Sequence, residues 1–505
     1  MLQIKPFFVL LFIVIGIVAK AQDATPVYQE QYRPQIHFSP KKGWMNDPNG
    51  MVYNEGVYHL FFQYYPGATV WGPMHWGHAT SPDMIHWTEQ PIALYPDSLG
   101  YIFSGSAVVD KNNTSGFGKG GKVPLVAIYT NHDTTGEKAG SNDYQNQSIA
   151  YSLDNGKTWT KYSGNPVVKN PGIKDFRDPK VSWNEERKKW IMTLATKDRI
   201  TFYSSSNLKD WTKESEFGEK LGAHGGVWEC PDLFPLDYNG KKVWVLIVNI
   251  NPGGPNVGSA TQYFTGNFDG HAFTPDDTTT KWLDYGPDEY AGITWSNTGN
   301  RRIFLGWMSN WDYANIVPTQ NWRSAMTIPR ELGIVQINNQ FRITSQPAKE
   351  LNAITKPATA LINVKATDYT VANTAKQTTP YKLSLTTNEL KDFSITFSNE
   401  AGEQLVIGYD KAANQYYIDR TKAGESSFKQ SFAGRAVAPR FAQKPPMDIT
   451  LIMDAASVEL FADGGLTTMT SIFFPKSLLN QIHVQSPDGL VLKTLQLSSM
   501  QGIWK

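Results

Sequence analysis

The chain has 505 residues, too many for one hydrophobic core, so two or more domains are expected. Its 47 basic and 46 acidic residues leave a net charge of +1, with no excess to attract nucleic acid or acidic lipid. A single cysteine, Cys230, excludes an intrachain disulfide framework and a cysteine-based metal cluster.

The first 21 residues read as a cleaved signal peptide. Lys5 gives a positive start, residues 7–18 an apolar run, and Ala19-Lys20-Ala21 a small-x-small cleavage site. An uncleaved membrane anchor is the alternative, but the apolar run is short for a spanning helix. The expected location is therefore outside the cytoplasm, periplasmic or extracellular, with no membrane association after cleavage.

Beyond the signal segment, two kinds of stretch recur five times in the same order. Each round opens with a turn-rich piece leading into a strand, at residues 46–53, 103–109, 176–183, 228–234 and 290–295. A strongly apolar strand follows, at residues 57–64, 123–130, 189–195, 243–250 and 302–309. Most rounds add an aromatic strand, an Asp or Asn turn and a closing aromatic, as in Ser81-Pro82-Asp83 before Trp87 and Ser152-Leu153-Asp154-Asn155 before Trp159. Strand units repeated in this way cannot bury both faces alone and must stack radially. The expected fold is all-β, with a five-bladed β-propeller over residues 33–335 whose first strands line a central channel. Residues 336–360 read as a linker, and 361–505 as a β-sandwich of alternating strands between Gly- and Asn-rich turns. For the sandwich, a packing role is favoured over dedicated carbohydrate binding.

Three of the five openers carry carboxylates at equivalent places: Asp47, Asp178 and Glu229. Taken alone, Asp47 in Asn46-Asp47-Pro48-Asn49-Gly50 would be a turn former. Equivalent acids facing one channel, one of them a Glu, argue instead for chemistry. Glycoside hydrolysis needs a proton for the leaving oxygen and an anion facing an oxocarbenium-like carbon. A third carboxylate can grip sugar hydroxyls more tightly in the transition state. Arg177 beside Asp178 would favour its ionised form. His59, His75, His78, His86 and His224 show no zinc-binding spacing. An oxygen-ligated Ca2+ stays open, though nothing demands it; no metal and no cofactor are expected.

Trp44-Met45-Asn46-Asp47-Pro48-Asn49-Gly50, Phe103-Ser104-Gly105-Ser106, Phe176-Arg177-Asp178-Pro179 and Trp228-Glu229-Cys230-Pro231 together resemble the motifs of the invertase, inulinase and levanase family, glycoside hydrolase family 32. Four motifs in register are specific where one alone would be weak. The resemblance implies a propeller joined to a sandwich, and a retaining exo-β-fructosidase acting on fructan or sucrose. It makes Asp47 the nucleophile, Glu229 the general acid and then base, and Asp178 the transition-state stabiliser. Retention would place acid and nucleophile about 5–5.5 Å apart. Asn46, Gln63, Trp71, Phe103, Ser104 and Arg177 match positions lining the fructose subsite. The stretch from Gly306 through Trp311 to Asn315 resembles exo-acting levanases and inulinases, with Trp311 as a pocket wall and Trp295 as a further candidate neighbour. Polar residues 131–147 are a candidate rim. Two alternatives stay beside this reading: fructosyl transfer on the same fold, and a non-catalytic sugar-binding propeller. No signal for oligomeric state is present.

Overall fold

The computed structural model describes residues 27–373 and 379–504. The expected signal peptide, 1–21, lies outside the described residues. Among the described residues no helix is long and apolar enough to cross a membrane.

Five sheets, antiparallel but for one short parallel strand in the first, form the first part of the chain. Their first strands are Gly43–Asn54, Tyr101–Val109, Phe176–Asn184, Val227–Tyr238 and Tyr290–Thr294. They contact one another in ring order, and the fifth returns to the first. The second strands are almost wholly buried, as all eight residues of Leu125–His132 show, whereas outer strands such as Thr88–Leu94 face solvent. This gradient of apolarity is what stacks the sheets radially around an axis. The polar turns between third and outer strands repeat one device: Asp83, Asp154, Asn207 and Asp269 each accept backbone N–H groups from the residues after them.

Every first strand breaks register at the same height. The pairing skips Asn46-Asp47, Phe103-Ser104, Asp178-Pro179, Cys230-Pro231 and Ala291-Gly292 in the five blades in turn. The break is a β-bulge, which re-aims side chains out of the ladder. Asp178, Cys230 and Ala291 take positive φ values of 65°, 42° and 55° to make it. This corrects the expectation of a turn at Asp47-Pro48-Asn49-Gly50, because those residues lie inside the continuous strand Gly43–Asn54. Pro48 fits there because a bulge relieves the need for a ladder N–H. Gly50 has φ +51°, and a Cβ there would meet Phe61 and Trp76 at 2.7 Å.

The fifth blade differs from expectation in extent. Arg330–Ile337 and Gln340–Pro347 form a hairpin through Asn338-Asn339, both at positive φ, and complete this blade beside Ile303–Met308. Residues 336–347 are therefore blade rather than linker, and the connector to the next domain is shorter. The reading failed because a long excursion after Met308 separates the blade's second strand from its third. Within that excursion Trp322–Arg323 pairs in parallel with Gly43 and Trp44, adding a fifth strand to blade one.

The C-terminal domain is a sandwich whose two layers share strands. The 19-residue strand Gln481–Ser499 pairs through its first part with Phe393–Ser398 and through its second with Tyr381–Thr387. Leu361–Asn373 runs along its other edge. This strand and Arg435–Pro439 were not anticipated; both lie at sheet edges where polar residues interrupt the alternation. A buried charge network holds sandwich to propeller. His37 bonds Asp454 and Glu459 at 2.7 and 2.9 Å; Arg330 meets Asp284 at 2.8 Å and also Glu459; Arg420 meets Asp288 at 2.5 Å.

Candidate active site

The bulges explain how the site is assembled. In three successive blades the residue just before the bulge is Arg177, Glu229 and Tyr290, and these three side chains touch. Arg177 donates from Nε and Nη2 to Glu229 Oε1 at 3.2 and 2.9 Å. Tyr290 donates its hydroxyl to Glu229 Oε2. Within the bulges themselves stand Asn46, Asp47, Phe103, Ser104 and Asp178. Equivalent positions on neighbouring blades thus converge, although they lie far apart in the chain.

Asp47 is held by three donors. Asn46 Nδ2 lies 2.8 Å from Oδ1, while Ser104 Oγ and Cys230 Sγ lie 2.6 and 3.4 Å from Oδ2. Asn46 is itself oriented by the indole N–H of buried Trp44, which donates to its Oδ1 at 2.7 Å. Asp178 is fixed from below. Its N–H donates to Thr130 Oγ1 at 3.0 Å, Thr130 donates to Gln147 at 2.7 Å, and the Cys230 N–H donates to Asp178 Oδ2 at 3.1 Å.

Burial pushes the Asp178 carboxyl upward; Arg177 opposes this, the charges of Glu229 and Asp47 add to it, and its pKa reaches about 7. Burial, followed by the charges of Asp178 and Asp47, holds the Cys230 thiol well above its ordinary range. It is therefore a protonated filler and donor between two acids, not a nucleophile. Burial and then Glu229 likewise keep the Tyr290 phenol protonated.

Around these acids lies a cavity of about 290 Å³. Asn46, Asp47, Gln63, Trp71, Phe103, Ser104, Arg177, Asp178, Glu229 and Trp311 all line it. Trp311 stacks on Trp44 with ring centres 5.8 Å apart, and Trp71 stands edge-on to Phe103 at 6.1 Å. Gln63 is buried, and its Nε2 has no hydrogen-bond partner among the described residues. Trp295 is not part of the cavity. Its indole N–H donates to the His59 carbonyl at 2.9 Å, and its ring packs against Tyr58 and Trp87. Five residues of extended chain carry it ~16 Å from Tyr290, so it is a core residue and the expectation for it is corrected.

Sequence reasoning left other cavity residues unnamed: His132, Glu137, Tyr144, Gln145, Asp175 and Asn251. His132 lies flat on Phe103 at 4.2 Å and bonds Glu137 at 3.1 Å. Glu137 sits on the short helix Thr134–Lys138, whose N-cap is Asp133. The candidate rim 131–147 is thus a strand end, this helix and the start of the next strand. Tyr290 had a legible signal, since it holds in the fifth opener the place that Glu229 holds in the fourth. Among the described residues no group of three or more His, Cys, Asp and Glu side chains is arranged to hold a metal ion.

A five-bladed propeller with three acids in its axial pocket, one gripped by Arg and Tyr and one aimed by Asn and Ser, defines a carbohydrate-cleaving hydrolase. The chain belongs to glycosyl hydrolase family 32: the profile "Glycosyl hydrolases family 32 N-terminal domain" matches residues 37–347 and "Glycosyl hydrolases family 32 C terminal" matches 342–501. It is 44% identical to a levanase of Bacillus subtilis (strain 168) over 519 residues, covering all of this chain and 75% of that protein. It is equally 44% identical to an extracellular exo-inulinase of Aspergillus ficuum, covering 89% of this chain and 91% of that one. The crystal structure of exo-inulinase from Aspergillus awamori superposes with a TM-score of 0.87 at 38% identity, over 94% of this chain and 100% of that chain. A β-fructofuranosidase from Schwanniomyces occidentalis, complexed with fructosyl-erythritol, gives 0.86 at 34% identity, over 95% and 99% of the two chains.

Proposed function

We propose that this hydrolase is a retaining exo-β-fructosidase that removes terminal fructose from levan, inulin or sucrose outside the cytoplasm. The observation that carries this reading is that Asp47, Asp178 and Glu229 share one cavity, each with different hydrogen-bond partners. Asp47, held by three donors, attacks the anomeric carbon of the terminal fructosyl unit. Glu229 gives its proton to the glycosidic oxygen as that bond breaks, leaving a fructosyl ester on Asp47. Glu229 then takes a proton from water, which attacks the anomeric carbon, breaks its bond to the Asp47 carboxylate and releases fructose. Asp178 and the unpartnered Gln63 amide bind fructose hydroxyls, and Trp71, Phe103 and Trp311 wall the ring. The names of the levanase, exo-inulinase and fructofuranosidase relatives support the substrate class.

Asp47→Asn and Glu229→Gln test the assignment. Each is expected to lower fructose release from sucrose by at least ~10³-fold, in line with the loss of a group acting in the transition state, while far-UV circular dichroism is unchanged. Full activity in either variant refutes it. Chromatography of products from inulin and levan should show fructose alone, and at high sucrose fructose should exceed oligofructosides.

A further inference from the structure

The cavity has a deep end and a mouth. Gln63 and Asp178 at the deep end are 2% and 5% exposed, whereas Trp71 is 39% exposed and the Glu137 side chain 50%. In the mechanism proposed, the terminal fructosyl unit occupies the deep end beside the acids. The sugar it leaves behind therefore lies at the mouth. Glu137 stands at that mouth, and the fructosyl chemistry gives it no task.

Its carboxylate is aimed. Glu137 belongs to the short helix Thr134–Lys138, and its N–H donates to the Asp133 carbonyl at 3.0 Å. Its Oε2 meets His132 Nε2 at 3.1 Å. The direction of that bond follows from the partners behind it. Gln145 Oε1 accepts the Phe176 N–H at 2.8 Å, which turns the Gln145 NH2 group toward His132 Nδ1, 3.2 Å away. Nδ1 must accept, so the ring proton sits on Nε2 and is donated to Glu137. Burial, which lowers the His132 pKa while Glu137 opposes it, agrees with a single ring proton. The ring is wedged in place, flat on Phe103 at 4.2 Å and edge-on to Tyr144 at 5.3 Å. One oxygen of Glu137 is thus taken, while Oε1 has no hydrogen-bond partner among the described residues.

We propose that Glu137 is a specificity-determining residue: its free Oε1 accepts hydrogen bonds from hydroxyls of the sugar unit that leaves, the glucose of sucrose or the next fructose of a fructan chain. A carboxylate offers acceptors only, so the ligand must bring the hydrogens, as sugar hydroxyls do. Glu137 touches no reacting atom, and His132 acts only by orienting it. This rests on the fructosidase reading.

The test compares leaving groups in the full-length protein. Sucrose and inulin lose a sugar with several hydroxyls; methyl β-D-fructofuranoside loses methanol, whose one oxygen belongs to the broken bond. Glu137→Ala should lower kcat/KM for sucrose and inulin about tenfold, chiefly through KM, and change that for the methyl fructoside less than about twofold. Glu137→Gln, which keeps a neutral acceptor, should fall between the two. Equal losses on all three substrates indicate a structural role, and unchanged values for sucrose and inulin indicate no contact; either result overturns the proposal. Glu229→Gln separates the two readings. If that variant still releases fructose from sucrose at full rate, the fructosidase reading fails and this proposal with it. If it is inactive and Glu137→Ala shows no split between leaving groups, only the role of Glu137 fails.

Discussion

Tyr290→Phe should lower kcat/KM for sucrose by about ten- to a hundredfold. The Tyr290 ring is 1% exposed and packs with Trp44, Cys230 and Trp307, so replacing it with Phe keeps the ring and opens no large cavity. What is lost is one hydrogen bond donated to Glu229 Oε2. A hydrogen bond to a charged group contributes ~1.5–3 kcal/mol, which equals about one to two factors of ten in rate at ~1.4 kcal/mol each. Because burial and Glu229 hold the phenol well above its usual range, it stays a donor throughout an ordinary assay. The bond fixes the Glu229 carboxyl in place, so its removal lets that group turn away from the glycosidic oxygen and the rate falls. Initial rates of fructose release from sucrose, at constant ionic strength between pH 4 and 9 and well below KM, measure it. A kcat/KM within about twofold of the unsubstituted protein refutes the view that Tyr290 and Arg177 jointly hold the acid.

Burial disfavours the charged form of His37, but its bonds to Asp454 and Glu459 outweigh that and raise its pKa to about 9. A raised pKa stabilises the fold fully below the unfolded value near 6.5 and loses that contribution as pH rises through about 9, amounting to about 3 kcal/mol. The thermal midpoint should therefore fall across that window, and His37→Gln should flatten the slope. Arg330→Met strands Glu459 and Asp284 in a dry interface, which costs about 3–5 kcal/mol; adding Glu459→Gln should recover part of the loss in thermal midpoint. Trp295→Phe removes one indole bond outside the cavity. It should lower the midpoint by a few degrees and leave kcat and KM for sucrose within about twofold, whereas a large rise in KM would return Trp295 to the pocket.

The sequence made the five-fold order legible because its signals were local: apolar second strands, Asx turns, and acids in equivalent openers. It misjudged Asp47-Pro48-Asn49-Gly50 because a Pro-Gly pair marks a bulge as readily as a turn when neighbouring strands pair around it. The hairpin at 330–347 was hidden for a related reason, since the excursion after Met308 broke the period. Trp295 stood only as a candidate neighbour of the pocket beside Trp311, and the strand from Tyr290 carries side chains away at ~3.3 Å per residue. Tyr144 reaches the cavity from a loop, Glu137 from a five-residue helix and Asn251 from the last position of a strand, places that no periodicity encodes. The partnership of Arg177, Glu229 and Tyr290 was present in the alignment of openers but required the bulge position as a common reference.

The parallel pairing of Trp322–Arg323 with Gly43 and Trp44 makes a seam whose two sides are separated by nearly 280 residues of chain. The segment just before it carries Trp311, one wall of the cavity, and Asn315, whose Oδ1 accepts the Trp71 N–H at 2.9 Å. Latching the ring and finishing the fructose pocket are therefore one event. A protein that had only begun to part along this seam would keep nearly all its strands and nearly all its circular dichroism. It would already have lost two aromatic walls of its pocket, so activity should fade ahead of secondary structure during mild denaturation.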